Sequence, residues 1–209
     1  GGRLDHYLYG LKQLLKKDIE NILPGHGVPV AATGRRTVEE TYEGVMMKVI
    51  EVEPESKTTW MEGAQLLAQK GLLEEVVYCC DKELALRPGK LSAMQLKAFA
   101  LNDMGRCDEA IEILDQILAE QSDNVYALTA KGHALLGLQK YQESLPYFDD
   151  ALAINPEIKE AQVFKGMALT FLGRHDEAMK IEAFKTEFAQ RFKQEIDKQQ
   201  QETKQEDSS

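Results

Sequence analysis

The chain has 209 residues, 43% hydrophobic and 29% charged, enough for one ordinary domain or one with a small appendage. Its 35 acidic residues outnumber its 25 basic ones, a formal charge of −10 that disfavours a nucleic-acid phosphate backbone as partner. No apolar run approaches the roughly 20 residues that span a bilayer, so no membrane partner is expected. Three cysteines, two of them the adjacent Cys79-Cys80, form neither a disulfide framework nor a CxxC site, which points to a reducing, cytoplasmic compartment. A start at Gly1-Gly2 without Met is what a cut or processed chain would show.

In chain order, residues 3–17 place Leu4, Leu8, Leu11 and Leu15 on one side and predict an amphipathic helix. Asn21-Ile22-Leu23 then reads as a short strand entering Pro24-Gly25-His26-Gly27. A helix, a short strand and this turn resemble the C-terminal end of a metallo-β-lactamase-fold hydrolase, over residues 1–34. The resemblance implies a metal-ligand role for His26. The family's main metal motif, HxHxDH, is missing, and His6, His133 and His175 have no ligand spacing. A catalytic zinc needs about three protein ligands. No metal and no hydrolysis are therefore expected, and the same residues also read as an ordinary turn.

Thr37 to Val52 predicts a second helix, with Val38, Tyr42, Val45, Met46 and Val49 along one side. Arg35-Arg36 before it reads as a solvated loop. Beyond lies a repeat. Gly71, Gly105 and Gly173 each precede an acidic residue by three positions, and Gln139 holds the same place one 34-residue step after Gly105. In four units of 34 residues from 57 to 192, the eighth position is small (Ala64, Ala98, Gly132, Gly166). The eleventh is Leu (Leu67, Leu101, Leu135, Leu169), and the twentieth is Val76, Ala110, Ser144 or Ala178. Pro88 and Pro156 close the first and third units, and Pro54 stands one period before Pro88. These residues resemble the tetratricopeptide repeat (TPR), a helix–turn–helix unit of that length.

The physics agrees. Small residues let the two helices of a hairpin approach, the Leu fills their interface, and a glycine between them ends the first helix in left-handed geometry. One hairpin cannot bury its apolar face alone, so neighbours stack. The expected fold is all-α: a right-handed TPR-type helical solenoid with an N-terminal helical extension and a long C-terminal capping helix. The extension is residues 1–36. The solenoid is 37–192, a half repeat over 37–56 and four repeats from 57. Residues 193–209 are a polar tail. The fourth unit has Glu182 and Lys185 where the third has Phe148 and Ala151. In their place Ile181, Phe184, Phe188, Phe192 and Ile196 form an amphipathic stripe, and no breaker stands between Asp176 and Asp207.

Little in the sequence carries chemistry. Cys80 and Cys107 fall on inward repeat positions and read as core thiols, while Cys79 reads as exposed and has no His partner nearby. His175, beside Asp176 and Glu177, reads as a helix cap. No catalytic residue, metal site or cofactor is expected. The TPR resemblance implies a concave groove built from the first helix of each unit. Carried over, its peptide-binding positions are Met61, Gln65, Gln95, Phe99, Asn102, Tyr126, Thr129, His133 and Met167. One TPR class clamps acidic C-terminal tails with cations at the fifth and ninth positions. Here those pairs are Met61/Gln65, Gln95/Phe99, Thr129/His133 and Val163/Met167, without a cation, so that class is disfavoured.

The expected protein is an interaction scaffold, not an enzyme, that binds a partly apolar peptide or helix. The alternative is the C-terminal accessory part of a metal-dependent metallo-β-lactamase-fold hydrolase whose active site is missing from this chain. The leucine stripe of the N-terminal helix must be covered, either by the Thr37–Val52 helix or by a second copy of the chain, and pairing with a second copy is the favoured expectation. The Phe184 end is expected to dock within its own chain.

Overall fold

The computed structural model describes residues 4–17, 34–49 and 59–188. Every regular element among them is helical. The chain divides into two compact units, 1–83 and 84–209. The expected strand, the Pro24–Gly27 turn with His26, Pro54 and the 193–209 tail lie outside the described residues.

Residues 1–83 contain α1 (Leu4–Leu15), α2 (Gly34–Val49), α3 (Trp60–Gln69) and most of α4 (Leu73–Leu86). α1 packs on α2. The N-terminal helix is therefore docked within its own chain, though Tyr9 and Leu14 stay 66% and 43% exposed. α2 begins at Gly34, three residues before the expected start. Arg35 and Arg36 are thus in its first turn rather than in a loop, where they pair with Glu39 and Glu40 at 3.2 and 2.8 Å. Val38, Tyr42 and Met46 form its buried face. The Tyr42 hydroxyl donates to Glu75 Oε1 at 3.0 Å, and Lys12 Nζ lies 2.6 Å from Glu74 and 3.8 Å from Glu75. The nearly buried Glu75 carboxylate thereby has a donor and a counter-charge, as burial of a charge requires. α3 opens with a capping box: Glu62 N–H donates to Thr59 Oγ1, and Thr59 N–H donates to the Glu62 carboxylate.

Cys79 corrects the sequence reading. It is 2% exposed, and burial, with Cys80 and two carboxylates nearby, pushes its thiol up to about 12. At neutral pH it stays protonated, the state of a core thiol. Cys80 and Cys107 are buried as expected.

Residues 84–188 hold α5 (Leu91–Asp103), α6 (Cys107–Glu120), α7 (Val125–Gly137), α8 (Tyr141–Ile154), α9 (Lys159–Phe171) and α10 (His175–Ala178). A further helix, α11, covers 182–188. Helix starts at Leu91, Val125 and Lys159, and again at Cys107, Tyr141 and His175, keep the 34-residue step. α3 begins three residues late because Thr59 caps it. Ala98, Leu101, Ala110, Ser144, Leu135, Leu169 and Ala178 are all buried, as the repeat pattern requires. A Cβ on Gly132 would stand 2.5 Å from Phe148, so the absent side chain is what lets α8 seat its largest buried residue.

The link inside each hairpin is a Schellman turn. The N–H groups of Leu72, Arg106, Lys140 and Arg174 bond the carbonyls of Leu67, Leu101, Leu135 and Leu169 at 2.8–3.0 Å. The residue before each has positive φ: +71° at Gly71, +74° at Gly105, +76° at Gly173, and +61° at Gln139. Left-handed geometry costs a non-glycine residue about 1–2 kcal/mol. Gln139→Gly is expected to stabilise the protein by about 0.5–1 kcal/mol, the relieved strain less the added freedom of the unfolded chain. Denaturant titration reads this directly, and an unchanged or lower midpoint would show that no strain is stored there.

The C-terminal helix differs from expectation in one respect. α10 ends at Ala178, and residues 179–181 close with short bonds, Lys180 N–H to Glu177 and Ile181 N–H to Ala178. α11 then starts afresh from Ile181, whose carbonyl accepts from Lys185 N–H. The break moves the inward position by two residues. Phe184 takes the place that Glu182 would have held, and a Cβ on Gly166 would meet its ring at 2.2 Å. His175 is the first residue of α10 and not its cap; Arg174 holds the cap position and pairs with Glu177 at 2.7 Å.

Candidate peptide groove

The first helices of three successive hairpins, α5, α7 and α9, supply one wall each of a cavity of about 470 Å³. α5 contributes Phe99, Asn102 and Asp103; α7 contributes Val125, Tyr126, Thr129, Ala130 and His133; Ile158, Glu160 and Phe164 close it at α9. Phe99 and Tyr126 are 42% and 38% exposed, unusual for large apolar side chains. The Tyr126 hydroxyl donates to the Gln95 carbonyl at 2.8 Å, which fixes its ring across α5 and α7. His133 stacks on Phe164, centroids 4.3 Å apart and planes 4° from parallel. Phe164 in turn leans on buried Phe148 at 6.2 Å, so the repeat core sets the cavity wall.

The polar groups are few and specific. Asn102, 8% exposed, donates Nδ2–H to the Ala130 carbonyl at 3.0 Å, and this bond fixes the amide orientation. Among the described residues its Oδ1 has no partner, nor does the buried Thr129 Oγ1. Such atoms are costly unless something completes them. Burial lowers the His133 pKa despite the opposing pull of Asp103, so the imidazole is neutral at pH 7. Burial, then the Asp103 charge, pushes the Tyr126 phenol up to about 12.

Phe99, Asn102, Tyr126, Thr129 and His133, all expected in the groove, meet here. The others do not. Met61 is only 9% exposed and belongs to the core of residues 1–83, since its helix turns that face inward. Gln65 is exposed in that same unit. Gln95 takes part through its backbone carbonyl, not its amide. Met167 lies instead in a cavity of about 150 Å³ with Phe171, Phe184 and Phe188. The sequence pattern does not single out Phe164 and Ala130. Both sit at the sixth position of their units, one step beyond the fifth position that traces the groove. Among the described residues no cluster of His, Cys, Asp and Glu could hold a metal ion. None of the described helices is long and apolar enough to cross a membrane.

Residues 129–183 match the family model described as tetratricopeptide repeat. Solved structures extend the likeness. MamA from Desulfovibrio magneticus RS-1, residues 41 to the end, superposes with a TM-score of 0.57 at 18% identity, covering 90% of this chain and 98% of that one. A thermophilic TPR protein in Thermus thermophilus gives 0.55 at 16% identity over 58% of this chain and 69% of its own. The first TPR domain of human RPAP3 gives 0.52 at 19% identity, covering 56% and 93%. At such identities the likeness is one of fold: all-α, a right-handed TPR-type helical solenoid. No curated protein matches the chain by sequence. Nothing in these comparisons supports the metallo-β-lactamase resemblance, whose turn lies outside the described residues.

Proposed function

We propose that this chain is a protein–protein interaction scaffold without catalysis, binding a partly apolar peptide or helix in the α5–α7–α9 groove. The observation that carries the reading is the cavity itself: two half-exposed aromatic rings beside two buried polar atoms without a partner among the described residues. Aromatic anchors of this kind dominate binding energy at interfaces, and unmet buried acceptors suit a peptide's N–H groups. A charge of −10 favours a protein over a nucleic acid as partner. The buried free thiols suit a reducing compartment such as the cytoplasm.

Peptides selected from a display library on the full chain provide the probe. Phe99→Ala and Tyr126→Ala are each expected to weaken the selected peptides by about 1–2 kcal/mol. Glu112→Ala, on the exposed face of α6, is expected to leave binding unchanged. Peptides indifferent to Phe99 and Tyr126 would refute the groove.

We also propose self-association through α1, whose Tyr9 and Leu14 side chains are exposed and open to a second copy. Light scattering is expected to give a dimer that Tyr9→Lys with Leu14→Lys converts to a monomer. A monomeric parent chain would end this reading.

A further inference from the structure

Two polar atoms of the residues lining the α5–α7–α9 cavity have no hydrogen-bond partner among the described residues, Asn102 Oδ1 and Thr129 Oγ1. Asn102 Oδ1 can only accept, because its Nδ2 is held by the Ala130 carbonyl. Thr129 Oγ1 is a hydroxyl that can accept as well as donate. Tyr126 has already spent its hydroxyl hydrogen on the Gln95 carbonyl. Two carboxylates, Asp103 from α5 and Glu160 from α9, stand exposed at the lining, and no Lys or Arg is among the lining residues. The walls between these acceptors are aromatic.

A cavity of acceptors, carboxylates and ring faces is complementary to a flat, cationic donor. Guanidinium has five N–H groups in a planar fork and no acceptor, stacks on aromatic rings, and sheds water more readily than ammonium. An aspartate or glutamate would face Asp103 and Glu160 directly. A purely apolar side chain would leave Asn102 Oδ1 buried and unmet. Resting on the groove reading above, we propose that this cavity receives an arginine side chain of the partner peptide. The guanidinium bonds Asn102 Oδ1 and a rim carboxylate while lying against the Phe99 and Tyr126 rings. The neutral state of His133 keeps the wall from repelling it.

The test uses the full chain, isotope-labelled, titrated with three small probes: the Nα-acetyl methylamides of arginine, citrulline and norleucine. Citrulline keeps the shape and loses the charge. The arginine probe is expected to shift the Asn102 side-chain NH2, the Thr129 amide and the His133 ring signals. Citrulline and norleucine are expected to bind about tenfold more weakly, the loss of charge-assisted bonds. Asp103→Asn combined with Glu160→Gln alters two exposed residues and should weaken arginine severalfold while leaving norleucine unchanged. Equal or tighter binding of norleucine overturns the proposal, and so does a titration in which the three reporter residues do not move. Either result, with selected peptides still dependent on Phe99, removes the arginine assignment alone. Peptides that ignore Phe99 and Tyr126 remove the groove reading as well.

Discussion

Phe148→Ala is expected to destabilise the protein by about 3–5 kcal/mol, a large share of the total stability of a domain this size. Phe148 is fully buried and fills the space that Gly132 leaves open across the α7–α8 interface. The walls of the resulting cavity are helix backbone at Gly132 and the ring of Phe164, neither of which can collapse far into it. Loss of Phe148 also removes the support behind Phe164, so the His133 stack should loosen and peptide affinity should fall. The denaturant midpoint monitored by circular dichroism measures the stability change. A loss below about 1 kcal/mol would mean that the hairpin core does not depend on this contact.

Gly166→Ala has the next largest expected effect, a loss of about 3 kcal/mol, the upper end for overpacking. The added Cβ would lie 2.2 Å from Phe184 Cγ and 2.5 Å from its Cβ, so ring rotation alone cannot clear the clash. Relief requires α11 to move away from α9. The double variant Gly166→Ala, Phe184→Ala should therefore be more stable than the sum of the two single losses, a coupling that marks direct contact. Simple additivity in a double-mutant cycle would show that α11 does not seat on α9 as described.

Much of the fold is legible in the sequence because the repeat forces the same physical demand on each unit. The small residues at 98, 132 and 166, the leucines three positions on, and the left-handed residues at 71, 105, 139 and 173 recur for one steric reason apiece. Gln139 shows the strength of the constraint: the backbone keeps φ at +61° without a glycine. The α10–α11 break is not legible. Met179, Lys180 and Ile181 include no Gly or Pro, and the turn forms because it brings Phe184 to Gly166, a tertiary gain that local pattern does not encode. The early start of α2 is hidden for the opposite reason. Arg35 and Arg36 read as a loop, yet each finds a glutamate four residues on, and those pairs favour a helical turn. Cys79 reads as exposed because the repeat marks Cys80 as the inward position, whereas both are buried in residues 1–83.

The groove is legible in part. Stepping by unit position picks out Phe99, Tyr126 and His133, because equivalent positions on stacked helices face the same way. It does not reveal that Asn102 and Thr129 have unpaired buried atoms, which depend on distances between helices. It also passes over Phe164, whose ring forms the far wall through its stack with His133.

Amide hydrogen exchange of the full chain, with and without a selected peptide, reports directly whether the α5–α7–α9 groove holds the partner. Peptide binding is expected to add protection along 91–103, 125–137 and 159–171, centred on Phe99, Tyr126 and Thr129, with 107–120 and 141–154 unchanged. Protection confined to those second helices, or to residues 1–83, would contradict it.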